Sequence, residues 1–177
     1  MSSDPDSAEL LTWVTDDDSG VLGPVARGEA HGNPDRVHRA AHILVLNGDG
    51  HMLLQKRSVR KDTQPGKWDT SVGGHVGFGQ SYEEAARREG AEELGVEFAA
   101  LEPLYASKIR NAIESENIFT YLALHAGPFR HSPEEIEALR FWTRSEIEAA
   151  LGTGTFTPNF EEEFAAFKEC PRGILLG

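Results

Sequence analysis

The chain has 177 residues, and its 29 acidic side chains outnumber its 17 lysines and arginines, so that the net charge is −12. This charge argues against binding to a nucleic-acid backbone, and it repels a polyanionic substrate unless a cation bridges the two. A single cysteine, no basic apolar leader and no long apolar run favour a cytoplasmic protein that has no internal disulfide and does not enter a membrane. The length predicts a single domain over residues 9–177, after a flexible tail at residues 1–8.

The first third of the chain reads as strands joined by turns. Leu10–Thr15 and Val21–Arg27 flank the polar turn DDDSG, which predicts a hairpin. His38–Asn47 is a strand with a long apolar run, and the turn signal NGDG joins it to a second strand at His51–Arg57.

A loop and a helix follow these strands. Arg57–Lys67 is a basic loop, and Trp68–Gly74 is a short strand that stops at two glycines. Ser81 is a suitable N-cap, Glu84 completes a capping box, and Gly95 supplies the stop signal of a helix.

The remaining residues contain three more strands and two more helices. The strands are predicted at Leu104–Arg110, Asn117–Ala126 and Leu139–Thr143, and the helices at Arg144–Gly152 and Asn159–Glu169. This order predicts an α/β or α+β layered domain.

The helix after Ser81 carries a cluster of three acids. At about 100° per residue, Glu89, Glu92 and Glu93 fall in one sector, beside Ala85 and Ala86. The opposite face holds the favourable pairs Glu83–Arg87 and Glu84–Arg88. A solvated charged face is the ordinary explanation of clustered acids, but here the acids lie among small residues and away from the paired charges.

Carboxylates are the preferred ligands of hard divalent cations, and Mg²⁺ commonly bridges carboxylates to substrate phosphates. Glycines at four positions of the preceding loop, 73, 74, 77 and 79, allow the backbone to approach a ligand closely. The loop and helix together therefore predict a site for Mg²⁺ or Mn²⁺ that binds a phosphate-containing small molecule.

Residues 74–96 resemble the signature of the Nudix hydrolases, G-x5-E-x7-R-E-U-x-E-E-x-G-U, where U is apolar. The matching residues are Gly74, Arg88, Glu89, Glu92, Glu93, Gly95 and Val96. Two positions depart from it: Gln80 replaces the first glutamate, for which we expect weaker metal affinity, and Gly90 replaces an apolar residue.

The resemblance implies an α/β/α sandwich with a mixed central sheet. It also implies hydrolysis of a diphosphate linkage in a nucleoside diphosphate derivative, by attack of water at phosphorus. The implied metal ligands are Glu89, Glu93, Glu92 and the Gly74 carbonyl, and Arg88 orients the glutamates. Glu93 and Glu116 are candidates for the general base, together with Glu114.

A second resemblance, to isopentenyl-diphosphate isomerase and its related hydrolases, covers most of the chain. It implies a second metal or phosphate site, formed by His31, His38, His75, Glu114 and Glu116. That isomerase requires a cysteine directly before the glycine-histidine pair, where this chain has Gly73. We therefore favour a hydrolase over an isomerase.

Three further hypotheses concern ligands, function and partners. Arg57, Lys61 and Lys67 form a phosphate clamp, or else a solvated basic loop. Besides the isomerase, the alternative to a hydrolase is a non-catalytic module that binds a nucleotide, which Gln80 and Gly90 would favour. The N-terminal hairpin could pair two copies into a homodimer.

Overall fold

The structure is a computed structural model that describes residues 8–61 and 63–177, so nearly all of the predicted tail at residues 1–8 lies outside it. The strands are β1 (Leu10–Val14), β2 (Val21–Ala26), β3 (His38–Leu46), β4 (Met52–Arg57), β5 (Trp68–Asp69), β6 (Val72–His75), β7 (Glu102–Arg110), β8 (Ser115–Leu124) and β9 (Ile136–Trp142). The helices are α1 (Arg27–Ala30), α2 (Tyr82–Leu94), α3 (Arg144–Ala150) and α4 (Pro158–Glu169), and a 3-10 turn follows at Pro171–Leu175. Across the described ranges, no helix is both long and apolar enough to cross a membrane.

The sheet is mixed, as the sequence predicts. β3 runs parallel to β8, from the pair of His38 with Glu116 to the pair of Leu46 with Leu124. Its other edge pairs antiparallel with β6. The β1–β2 hairpin also forms, and β9 extends the sheet beside β4.

The turn predicted between β3 and β4 forms, but the two strands pair only beside that turn. Only Leu46 pairs with Met52, because β6 occupies the rest of that edge of β3. The predicted single strand Trp68–Gly74 is wrong, because this segment forms two strands: β5 pairs with β4, and β6 pairs with β3. The chain thus passes from one half of the sheet to the other between Asp69 and Val72, and the two halves separate there.

Two apolar layers enclose the sheet because side chains alternate along β3. Ile43 and Val45 point towards α2, in a cluster with Ala85, Ala86 and Leu94. Leu44 and Leu46 point to the other side, in a cluster with residues of α3 and α4, namely Ile147, Phe160, Phe164 and Phe167. This arrangement confirms the predicted α/β/α sandwich.

Helix α2 begins and ends where the sequence predicts. Ser81 and Glu84 form the capping box, and Gly95 closes the helix in the left-handed region at φ 65°. The Glu83–Arg87 pair is present at 2.8 Å. The expected Glu84–Arg88 pair is wrong, because the cap occupies Glu84 while Arg88 turns towards Glu89 and Glu92.

Candidate active site

Glu89 and Glu93, here termed the helix carboxylates, lie one turn apart on α2 and face the place where the sheet divides. The Glu89 side chain lies directly against Gly74 on β6, and a Cβ atom built on Gly74 would lie 2.0 Å from the Glu89 carboxyl carbon. Only glycine leaves room for this approach. The contact therefore ties the glycine loop to the helix through the first residue of the motif.

Glu93 accepts hydrogen bonds from Gln55 Nε2 at 3.1 Å and from the Gly73 backbone nitrogen at 3.3 Å. Burial, followed by the negative charge of Glu89, raises the pKa of Glu93 to about 8. Burial also raises the pKa of Glu89, although Arg88 opposes the shift. Two largely buried carboxyl groups on adjacent turns of one helix form a donor set that fits a divalent cation.

Arg88 organises the cleft-facing side of α2. Its guanidinium contacts Glu89 at 2.8 Å and Glu92 at 3.0 Å, and it donates a hydrogen bond to the His75 carbonyl at 2.9 Å. The Glu92 side chain is 58% exposed, against 13% for Glu89. All three acids line the cleft, but the expectation that they lie away from paired charges is wrong for Glu92, which pairs with Arg88 at the i+4 position and lies at the exposed rim.

A second group of titratable side chains, here termed the histidine cluster, consists of His31, His38, His75 and Glu116. The ligand atoms of the three histidines lie within 4.8 Å of one another, and the Nε2 atoms of His31 and His75 are 3.2 Å apart. Glu116 Oε1 lies 3.3 Å from His38 Nε2 and 3.2 Å from His75 Nε2. The fold thus brings together four of the five residues proposed for a second site.

The hydrogen bonds of His38 show how the cluster is oriented. Its Nδ1 lies 2.9 Å from the Arg36 carbonyl, to which it can donate, so the neutral ring presents the Nε2 lone pair to the cluster. Nε2 is buried and lies 3.3 Å from Glu116 Oε1, but not in the geometry of a hydrogen bond. A buried ring nitrogen in this state, beside two other imidazoles and a carboxylate, fits a metal ligand.

The charges of the histidine cluster are balanced within it. Burial acts to raise the pKa of Glu116, but the adjacent His38 and His75 rings outweigh it and lower the pKa. Burial and the neighbouring His75 lower the pKa of His31 to about 4, which keeps His31 neutral. Burial and the adjacent Glu116 raise the pKa of Glu114, which lines the cleft beside the cluster.

Both groups line one open cleft with a volume of about 1060 Å³. Its walls include Gln55 and Asp69 from one half of the sheet and Gly73 and His75 from the other. The cleft is therefore the space that the switch from β5 to β6 opens.

The basic loop only partly fulfils the expectation of a phosphate clamp. Arg57 and Lys61 line the cleft, but Arg57 pairs with Asp69 at 3.3 Å and Lys61 pairs with Glu135. Lys67 is not among the described residues that line it. Any phosphate bound here would compete with existing acidic partners.

The two departures from the motif have local explanations. Gln80 Oε1 accepts a hydrogen bond from the Gly77 nitrogen at 3.0 Å, which fixes the glycine loop. Gly90 is buried against Phe98, and a Cβ atom there would lie 2.7 Å from the Phe98 ring. Phe98 therefore fills the space that a larger residue at position 90 would occupy.

Sequence reasoning missed Gln55, which anchors Glu93, and His42, which lies on the cleft wall. Gln55 shares a face of β4 with buried Leu53, and His42 shares a face of β3 with buried Leu44. A polar residue on the apolar face of a predicted strand was the signal that could have identified both.

A mixed sheet between helices, with a glycine loop and an acidic helix at its division, defines a Nudix fold. The NUDIX domain model matches residues 36–168, and the chain belongs to that family. An uncharacterised Nudix hydrolase from Yersinia pestis is 35% identical over 158 residues, which is 86% of this chain and 83% of that protein. The chain is accordingly a Nudix pyrophosphohydrolase by family.

Two further comparisons cover most of the chain. An isopentenyl-diphosphate Delta-isomerase from Streptomyces coelicolor is 28% identical over 166 residues, which is 90% of this chain and 84% of that protein. The crystal structure of DR0079 from Deinococcus radiodurans superposes with a TM-score of 0.73 at 28% identity, over 88% of this chain and 96% of that chain.

Proposed function

We propose that this chain hydrolyses a diphosphate linkage in a nucleoside diphosphate derivative, by metal-dependent attack of water at phosphorus. The observation that carries the proposal is the placement of Glu89 against Gly74 and of Glu93 against Gly73, with both side chains on the wall of a large cleft. Carboxylates that are largely removed from water are costly to charge, and a cation shared with a substrate phosphate offsets that cost.

Glu89, Glu93 and the Gly74 carbonyl would hold Mg²⁺ or Mn²⁺, and Glu92 would reach it only from the exposed rim. Such an ion neutralises the carboxylates and polarises the phosphoryl group when it is bound. Arg88 holds Glu89 in position and links α2 to the His75 carbonyl. Gln55 and the Gly73 amide hold Glu93 in position.

The histidine cluster is proposed as a second metal centre. His31, His38 and His75 supply imidazole nitrogens, and Glu116 supplies a carboxylate oxygen. Because Glu116 Oε1 already faces two histidines, we assign Glu116 to this centre. Glu114, which lines the cleft beside it, is then the better candidate of the two for activating the attacking water.

An isomerase acting on isopentenyl diphosphate is the second candidate, and the histidine cluster is the observation that favours it. Gly73 opposes it, because a position without a side chain supplies no thiol for proton transfer. A third candidate, the non-catalytic nucleotide-binding module, has less support now that Phe98 accounts for Gly90.

The test is phosphate release from a panel of nucleoside di- and triphosphates, nucleotide sugars and dinucleotides, with Mg²⁺ or Mn²⁺. We expect metal-dependent turnover of at least one diphosphate derivative. In Glu93→Gln, kcat should fall by about 100-fold or more, since Lewis-acid stabilisation contributes several kcal/mol.

Glu97→Gln is the matched control, because Glu97 is exposed and does not line the cleft. Turnover of isopentenyl diphosphate alone would favour the isomerase. Nucleotide binding without turnover of any compound, by folded protein, would favour the binding module.

A further inference from the structure

His42 on β3 and Glu163 on α4 form a buried pair behind the cleft wall. His42 Nδ1 lies 3.0 Å from Glu163 Oε1, and the Thr120 hydroxyl donates to the same oxygen at 3.0 Å. Burial acts to lower the pKa of His42, but the charge of Glu163 outweighs it and raises the pKa to about 9. The pair is therefore an imidazolium and a carboxylate at neutral pH.

The other edge of the His42 ring faces Gly73. A Cβ atom built on Gly73 would lie 3.2 Å from both Cδ2 and Nε2 of His42, so a larger residue would cover this edge. His42 and Gly73 both line the cleft. Within residues 8–61 and 63–177, no side chain or backbone group forms a hydrogen bond with His42 Nε2.

The position of Gly73 connects His42 to the proposed reaction. Its backbone nitrogen donates to Glu93, while its Cα hydrogens lie against the His42 ring. Because Glu93 and His42 both contact Gly73 and line the same cleft, a diphosphate that spans Gly73 could contact both. Hydrogen bonds between two charged groups are shorter and stronger than neutral ones.

We propose that the Nε2–H of His42 binds an oxygen of the substrate's diphosphate, and that Glu163 is the positioning residue that fixes the ring through Nδ1. This inference rests on the proposed function, because it takes a diphosphate as the ligand of the cleft. His42 thereby supplies an N–H group that has no hydrogen-bond partner among the described residues, whereas Arg57 pairs with Asp69 and Lys61 with Glu135.

The test is calorimetric binding of methylenediphosphonate, a non-hydrolysable diphosphate, in the presence of Mn²⁺. His42→Asn keeps an N–H donor for Glu163 but removes the one that faces Gly73. We expect it to weaken methylenediphosphonate binding about 10-fold or more, the usual effect of losing a hydrogen bond between charged groups. Affinity for Mn²⁺ alone should change by less than about 2-fold, because the helix carboxylates are untouched.

His51→Asn is the matched control, since His51 lies outside the cleft. A second variant, His42→Asn with Glu163→Gln, replaces the charged pair by two neutral amides and guards against misfolding. It should unfold at a temperature close to that of the wild type and still bind methylenediphosphonate weakly. Wild-type affinity in either variant would show that the pair only joins β3 to α4, and would overturn the proposal.

The two proposals can fail separately. If no compound of the panel is turned over, but the wild type binds methylenediphosphonate and His42→Asn weakens that binding, the hydrolase assignment is wrong and the role of His42 stands. If the wild type does not bind methylenediphosphonate with Mn²⁺, the role of His42 is overturned. Turnover together with unchanged KM and kcat in His42→Asn would overturn it as well.

Discussion

The helix carboxylates and the histidine cluster line the same cleft, but the chain assembles them in opposite ways. Glu89 and Glu93 come from adjacent turns of α2, and Gly74 lies shortly before that helix. The histidine cluster instead draws on four separated segments, and the parallel pairing of β3 with β8 is what places His38 beside Glu116. One cluster is local in sequence, and the other exists only in the folded sheet.

The two clusters also differ in how their charges are compensated. The helix carboxylates repel each other, and burial with the charge of Glu89 raises the pKa of Glu93. In the histidine cluster, two imidazoles compensate Glu116 and lower its pKa. Glu93 therefore gains most from a bound cation in its charged form, whereas Glu116 is already compensated by the histidines beside it.

Glu116→Gln is the substitution that we expect to distinguish the two clusters by the largest effect on metal binding. Removing this carboxylate should weaken Mn²⁺ binding at the histidine cluster by about 10- to 100-fold, the usual cost of losing a group that supports or binds a metal. Mn²⁺ binding at the helix carboxylates should be retained. Calorimetric titration of the wild type, Glu116→Gln and Glu93→Gln with Mn²⁺ would show which cluster forms each Mn²⁺-binding site.

Glu102→Gln serves as the control for this titration, because Glu102 pairs with Arg172 and neither residue lines the cleft. If Glu116→Gln left both Mn²⁺-binding sites intact, the histidine cluster would be a hydrogen-bonded group without a metal. If it removed both, the two clusters would act as one site.

The pH dependence of stability distinguishes the two clusters by a second, smaller effect. In metal-free protein, the pKa of Glu93 is raised from 4.5 to about 8, so the folded state favours the protonated carboxyl. Its contribution to stability is complete below 4.5 and is lost as the pH rises to about 8. In EDTA, the unfolding temperature of Glu93→Gln should therefore rise relative to that of the wild type as the pH increases across this range.

Added Mn²⁺ should reverse the order at the upper end of that range, because the metal binds the charged carboxylate of the wild type and not the amide. A constant difference between the two proteins at every pH would mean that Glu93 is already ionised in the metal-free fold. The acidic helix would then need no cation to hold its charge.

The contrast between local and distributed clusters also explains what could be predicted from the sequence. The capping box at Ser81, the stop at Gly95 and the spacing of Glu89 and Glu93 are local signals, and the structure reproduces them. The sandwich follows from apolar runs such as that of β3, which supply both faces of the sheet.

The features that could not be predicted depend on pairing between residues that are far apart in the sequence. The turn after β3 forms as predicted, but a turn signal does not reveal that β6 pairs with the edge of β3 that β4 would otherwise occupy. The rim position of Glu92 depends on its ion pair with Arg88. Arg88 pairs with Glu92 because the helix cap already holds Glu84. His42 was missed because its partner, Glu163, lies 121 residues away.

Gly90→Ala should have the smallest effect and should leave both clusters in place. A helix interior favours alanine over glycine by about 1 kcal/mol, but overpacking a buried site typically costs about 1–3 kcal/mol. The new Cβ atom would lie 2.7 Å from the Phe98 ring, which is itself buried. We therefore expect a net loss of about 1 kcal/mol in the free energy of unfolding, measured by urea denaturation.

Combining Gly90→Ala with Phe98→Leu tests that cause, because the smaller side chain removes the clash. The alanine should then destabilise the Phe98→Leu protein less than it destabilises the wild type, and a double-mutant cycle measures the difference. Additive effects would mean that Phe98 does not set the requirement for glycine. Mn²⁺ affinity of Gly90→Ala should stay within about 2-fold of the wild type, since Glu89 and Glu93 point away from the Phe98 contact towards the cleft.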